Sequence, residues 1–161
     1  LAIINSEGAN TFYTLYNGNY NDVKLRWDKG KVNEEFVNHY YQYMDKNGIR
    51  PKTEATAIQI GKPANILKAL RALEFTKGVV EQASDKEMYD GMSIVGLNGF
   101  DCELASGSVP AGIKKLREQG IIKKDDVVVG ILTGRQKDPT VSVKYHSDPN
   151  NRFANPPRSH N

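Results

Sequence analysis

The chain is poor in the residues that form disulfides, metal sites and membrane spans. It has one cysteine and three histidines among 161 residues. A single cysteine excludes an internal disulfide and is typical of a reducing compartment, so we expect a cytoplasmic protein. The histidines have no neighbouring ligand at a useful spacing, which argues against a metal site. No apolar run approaches the length of a membrane span, and no secretory signal is visible.

The charged residues are nearly balanced and are scattered along the chain. There are 22 basic and 19 acidic residues, a net charge of +3, and Lys123-Lys124 is followed directly by Asp125-Asp126. No basic stripe of the kind that binds nucleic acid is present, so we expect no nucleic-acid partner. The length and the 39% hydrophobic content fit one domain with a sizeable core.

Predicted strands and helices alternate along the chain. Short apolar runs predict strands at 1–4, 79–80 and 127–132. Amphipathic spacing and capping signals predict helices at 33–46, from Pro63 to 73, from 85 into the 90s and at 106–119. We expect Asn33 to cap the first of these helices, Pro63 and Pro110 to lie in first turns, and Ser84 with Glu87 to form a capping box. This alternation predicts an α/β fold with a mostly parallel sheet.

The two ends of the chain differ from its middle. The sequence opens at Leu1 directly into an apolar run with no initiator methionine, so we expect the downstream part of a longer protein. Residues 139–161 contain four prolines and neither leucine nor isoleucine. Because such a segment cannot form a core of its own, we expect an extended C-terminal tail.

Two side chains are candidates for chemistry. Thr133 follows the last predicted strand, and ligands of open α/β sheets bind outside the carboxyl ends of strands. Its hydroxyl could hydrogen-bond a heterocyclic nitrogen there, or could simply close the strand before a turn. Cys102 could be a reactive thiol or a small buried apolar side chain. No serine or cysteine nucleophile is paired with a plausible histidine base.

An ordered set of motifs resembles the C-terminal part of threonine synthase, a pyridoxal-phosphate (PLP) enzyme of fold type II. The motifs are the turn Ser6-Glu7-Gly8-Ala9-Asn10, the run from Ala55 to Pro63 (ATAIQIGKP), the helix start Ala83-Ser84-Asp85, the loop Glu103-Leu104-Ala105-Ser106-Gly107 and the ending from Leu132 to Pro139 (LTGRQKDP). The resemblance implies a three-layer, mostly parallel sheet like that of the tryptophan synthase beta chain. It divides the chain into a part of the PLP-dependent large domain at 1–138, with a helical insertion at about 19–50, and the tail at 139–161.

The same resemblance implies a site and a reaction. Thr133 would contact the pyridine nitrogen of PLP, and Gly134, Glu103, Ser106 and Gly8 would line the cofactor pocket. The family converts O-phospho-L-homoserine and water into L-threonine and phosphate, a lyase reaction of threonine biosynthesis. Its Schiff-base lysine and its phosphate-binding glycine loop lie upstream. No catalytic residue is therefore assigned to this chain, and the missing N-terminal half is its expected partner. A homodimer stays open.

Departures from the family pattern keep two alternatives open. Leu104 replaces a proline, and the last motif lacks one leucine between Gln136 and Lys137. The chain could therefore be a catalytically incompetent half, or a degenerate relative that acts as a binding or structural piece. A lyase like the serine/threonine dehydratases is the second alternative, although Gly61-Lys62-Pro63 and Lys137-Asp138-Pro139 argue against it.

Overall fold

A computed structural model gives the fold of residues 1–18 and 34–135. The described elements are β1 (Ala2–Ser6), α1 (Thr11–Tyr16), α2 (Glu34–Lys46), a short 3-10 helix (Thr56–Ile58), α3 (Ile66–Phe75), β2 (Val79–Ala83), α4 (Asp85–Leu97) and α5 (Leu104–Glu118). The predicted α/β class is confirmed. The proposed cap Asn33 and the tail at 139–161 lie outside the described residues.

The two strands form a parallel pair. Ala2 lies opposite Val79, and the register continues to Ser6 opposite Ala83. Parallel neighbours need a long crossover, and α1, α2 and α3 occur in the chain between these strands. The pairing confirms the strands predicted at 1–4 and 79–80 and extends both towards their carboxyl ends.

Each strand contributes side chains to two separate cores, because successive side chains of a strand point to opposite faces. Ile3 and Val80 pack with one cluster, whose buried members from α1, α2 and α3 are Leu15, Phe36, Val37, Tyr40, Met44, Ile66, Leu70 and Leu73. Ile4 and Ala83 pack with a second cluster, whose buried members from α4, α5 and the segment before it include Met88, Met92, Cys102, Leu104 and Ala111. The amphipathic helices predicted at 33–46 and from Pro63 to 73 thus contribute their apolar faces to the first core.

Glycines bring α4 and α5 into close contact. A Cβ on Gly107 would overlap the carbonyl oxygen of Met88, and a Cβ on Gly91 would overlap the carbonyl oxygen of Gly107. The predicted capping box at the start of α4 is confirmed, with Ser84 accepting from the Glu87 N–H while the Glu87 carboxylate accepts from the Ser84 N–H. The same carboxylate forms an ion pair with Lys115 of α5 at 2.9 Å. These contacts hold α5 against α4 at Gly107 near its start and at Lys115 in its last turn.

Two predicted proline positions are wrong. α3 begins at Ile66, with Asn65 in the N-cap position but without a capping hydrogen bond from its side chain. Pro63 therefore precedes the helix, and its carbonyl accepts a hydrogen bond from the Ile66 N–H. α5 begins at Leu104 with Glu103 as N-cap, so Pro110 lies in the helix interior and not in its first turn. Pro110 has no N–H to donate within the helix.

The prediction of a strand at 127–132 is also wrong, because no described residue pairs with this segment in a sheet. A strand is stabilised by a neighbour along its edge, which hydrophobicity alone does not supply. The segment instead lies against α5, where Gly130 approaches Val109 and Ile113. Alternate side chains of this segment are exposed to solvent: Val127 is 95% exposed, Val129 is 85% exposed and Ile131 is 72% exposed.

An apolar groove separates this segment from β1. The groove has a volume of about 550 Å³ and is lined by Leu1, Ala2 and Ile4 at the start of the chain, by Val109, Ile113 and Leu116 of α5, and by residues 127–131. Two of its walls, the start of the chain and residues 127–131, are stretches that the sequence predicted as strands of one sheet.

Candidate functional site

The start of α5 and the dipeptide Thr133-Gly134 are joined by three hydrogen bonds, two to the Ser106 side chain and one between backbone groups. The Ser106 hydroxyl oxygen accepts from the Thr133 N–H at 3.1 Å and from the Gly134 N–H at 3.4 Å. The Glu103 N–H donates in turn to the Gly134 carbonyl at 3.0 Å. The structure thus brings together four of the five residues that the sequence placed at the cofactor. We call this set, Glu103, Ser106, Thr133 and Gly134, the Thr133 site.

Burial differs across the Thr133 site. Ser106 is only 3% exposed, Glu103 and Gly134 are half-buried, and Thr133 is exposed. The Thr133 hydroxyl forms no hydrogen bond with any residue in the described ranges. The site therefore has a buried anchor and a free hydroxyl at its surface.

The backbone of Gly134 lies close to the side chain of Glu103. A Cβ at this position would overlap the carboxylate of Glu103. The carboxylate therefore lies directly against the backbone that follows Thr133. The polar groups of the Thr133 site are therefore the Glu103 carboxylate, the Thr133 hydroxyl and the N-terminus of α5.

The fifth predicted residue, Gly8, lies in a different set of contacts. Its carbonyl accepts from the Lys52 N–H at 2.8 Å, and a Cβ on Gly8 would overlap the Lys52 carbonyl oxygen. Gly8 follows β1, whose last residue Ser6 pairs with Ala83. The close approach to the Lys52 backbone explains this glycine without a ligand.

Cys102 fits the apolar alternative. It is 2% exposed and packs in the core formed with α4 and α5. Burial, together with the neighbouring charges of Asp101 and Glu103, raises the pKa of the Cys102 thiol to about 11. The thiol is therefore protonated at neutral pH and is a poor nucleophile.

We expect Cys102 to be nearly inert in the folded chain. The difference between its ordinary pKa of 9.0 and about 11 lowers the thiolate fraction about 100-fold at pH 8, and burial blocks access as well. Alkylation by iodoacetamide, followed by mass spectrometry at pH 8, should be at least about 100-fold slower in the folded chain than in the urea-unfolded chain. Equal rates in the two states would contradict the burial.

Sequence reasoning missed the contacts that connect distant segments. Sequence spacing did not predict the hydrogen bonds from the Thr133 and Gly134 amides to Ser106, which is 27 and 28 residues away. It also did not predict that the capping residue Glu87 forms an ion pair with Lys115. Within residues 1–18 and 34–135, no helix has the length and apolarity of a membrane span. The same described ranges contain no cluster of three potential metal ligands.

Comparison with known proteins identifies several threonine synthases as relatives. Threonine synthase of Methanocaldococcus jannaschii is 41% identical over 101 residues, which is 62% of this chain and 25% of the relative. Threonine synthase of Methanosarcina acetivorans is 39% identical over the same length and the same shares. Threonine synthase 2, chloroplastic, of Arabidopsis thaliana is 34% identical over 119 residues, which is 70% of this chain and 23% of the relative. No family model matches the chain.

The comparisons confirm the resemblance that the motifs indicated. Relatives from archaea, a plant and bacteria carry the same description. The chain spans about a quarter of the length of the curated relatives it matches. Over about three fifths of its own length, this chain is therefore similar to threonine synthases.

Proposed function

We propose that this chain is the C-terminal part of a threonine synthase of fold type II, and that the Thr133 site forms the wall that receives the pyridine ring of PLP. The complete enzyme would convert O-phospho-L-homoserine and water into L-threonine and phosphate. The observation that carries the proposal is the junction of Ser106 with the Thr133 and Gly134 amides. It joins two motifs of the resemblance and leaves the Thr133 hydroxyl free.

The residues of the Thr133 site fit a pyridine ring. A threonine hydroxyl can donate to an unprotonated ring nitrogen, whereas a carboxylate in that place would favour the protonated ring. Thr133 is exposed and its hydroxyl has no partner among the described residues, so it is available as a donor. Glu103 and Gly134 would lie beside the ring, and Gly8 would border the pocket from the turn after β1.

This part of the chain would bind and orient the cofactor. Thr133 would hold the ring nitrogen by one neutral hydrogen bond, and the buried Ser106 would keep the backbone of Thr133 in place. When bound, PLP supplies the electron sink that stabilises carbanions of the substrate, and its nitrogen contact sets how strong that sink is. No lysine of this chain is assigned to the covalent attachment of the cofactor.

The proposal includes the domain organisation. Residues 1–138 would be the C-terminal part of the PLP-dependent large domain with a three-layer sheet. This part would include a helical insertion at about 19–50, and 139–161 would be an extended C-terminal tail. The groove between β1 and residues 127–131 supports this reading, because strands from the N-terminal part of the enzyme would complete the sheet there. The single cysteine fits a cytoplasmic enzyme.

A chimeric enzyme tests the proposed function. The present chain replaces the quarter of the Methanocaldococcus jannaschii threonine synthase that it matches, and phosphate release and threonine formation from O-phospho-L-homoserine are followed. We expect the chimeric synthase to form threonine and phosphate in equal amounts. A folded chimera that binds PLP without making threonine would favour the binding or structural alternative. Release of ammonia from serine or threonine would favour the dehydratase-like alternative.

We expect the isolated chain to self-associate through the uncovered apolar residues of the segment 127–131. Exposed apolar patches and open sheet edges promote association. Light scattering should give an average mass above 18.0 kDa that rises with concentration. The double variant Val129→Lys/Ile131→Lys should lower this mass, whereas Phe75→Lys, at an exposed phenylalanine at the end of α3, should not. A constant mass of 18.0 kDa at high concentration would contradict the prediction.

A further inference from the structure

Ser106 is the most buried residue of the Thr133 site. Its hydroxyl oxygen is occupied by the Thr133 and Gly134 amides, and the residue is 3% exposed. A neighbouring serine of the same helix, Ser108, is also buried but donates to the Ala105 carbonyl at 2.7 Å. Only Ser106 of this pair joins α5 to another segment.

The segment before Thr133 and Gly134 packs against α5, where Gly130 approaches Val109 and Ile113. Residues 127–132 have no strand partner among the described residues. The hydrogen bonds that fix the next two residues come from Ser106 and from the Glu103 N–H. Loss of the Ser106 oxygen would leave the Thr133 and Gly134 amides, both in part-buried hydrogen bonds, without their acceptor. An amide that is shielded from water and has no acceptor is costly.

We propose that Ser106 is a positioning residue, whose buried hydroxyl sets the place of the Thr133 hydroxyl through the backbone. The inference rests on the proposed function for its consequence in catalysis, since Thr133 is the group that would contact the ring. Ser106 itself touches no reacting atom in this account. It acts through Thr133. Removing the Ser106 hydroxyl should therefore lower activity only when the Thr133 hydroxyl is present.

A double-mutant cycle in the chimeric synthase tests this dependence. Ser106→Ala should lower kcat/KM for threonine formation about tenfold, because an acceptor of two backbone amides is lost. In a Thr133→Val background the same change should cost less than about twofold. Ser108→Ala is the matched control and should leave kcat/KM unchanged. Equal losses from Ser106→Ala in both backgrounds would overturn the proposal.

Amide hydrogen exchange separates failure of the inference from failure of the proposed function. The Thr133 and Gly134 amides should be protected in the unmodified chain and should exchange at least about tenfold faster in Ser106→Ala, with no change in Ser108→Ala. Ser106→Thr, which keeps the hydroxyl, should restore the protection. Unchanged protection in Ser106→Ala would overturn the positioning role even if the chimera is active. An inactive unmodified chimera would instead count against the proposed function alone.

Discussion

Replacing Thr133 by valine should lower kcat/KM of the chimeric synthase about 10- to 100-fold. Valine keeps the shape of threonine and has a methyl group in place of the hydroxyl, so the ring nitrogen would lose the hydrogen-bond donor that we propose for it. A hydrogen bond whose partner is left unsatisfied in a buried site costs about 1–3 kcal/mol, and each 1.36 kcal/mol is about tenfold in rate. Steady-state kinetics of phosphate release measure the effect.

Two further variants make this result specific. Thr133→Ser keeps the hydroxyl and should retain activity within a few-fold of the unmodified chimera. Thr76→Val makes the same chemical change at an exposed position at the end of α3, where the hydroxyl donates only to its own helix. It should leave kcat/KM unchanged. Full activity of Thr133→Val would mean that this threonine only closes the segment before a turn.

Gly8→Ala should destabilise the folded chain by about 1–3 kcal/mol, with or without cofactor. The added Cβ would overlap the Lys52 carbonyl, and a backbone atom cannot turn aside as a flexible side chain does. The turn after β1 and the Lys52 segment would have to separate. Urea unfolding followed by circular dichroism should therefore show a lower midpoint.

Gly96→Ala is the control for this prediction. Gly96 lies near the end of α4 with open space around its Cα, so alanine should stabilise the chain by up to about 1 kcal/mol. If Gly8→Ala left the midpoint unchanged and only weakened PLP binding by the chimera, Gly8 would be a cofactor residue and not a packing residue.

Local signals predicted the parts of the fold that depend on neighbours in sequence. The capping box needs only Ser84 and Glu87 three residues apart, and it forms as expected. The prediction for the start of α3 is wrong because a proline fits several places near a helix start, and Pro63 lies before the first helical residue, Ile66. The strand at 127–132 failed because pairing depends on a partner strand, which the hydrophobic pattern does not reveal.

The candidate site was predictable only in part. Motif resemblance named Glu103, Ser106, Thr133 and Gly134, and the structure brings these four together. What each side chain does could not be read from spacing. The role of Ser106 depends on where its hydroxyl points, and Gly8 is explained by the backbone of Lys52, which is distant in sequence.

The attachment point of PLP tests the central claim most directly. The chimeric synthase is loaded with PLP, reduced with borohydride and digested, and the pyridoxyl-labelled lysine is identified by mass spectrometry. We expect one stoichiometric label on a lysine outside the residues that this chain contributes, because this chain would supply the ring wall and not the covalent link. A stoichiometric label on a lysine of this chain would contradict that division of the site.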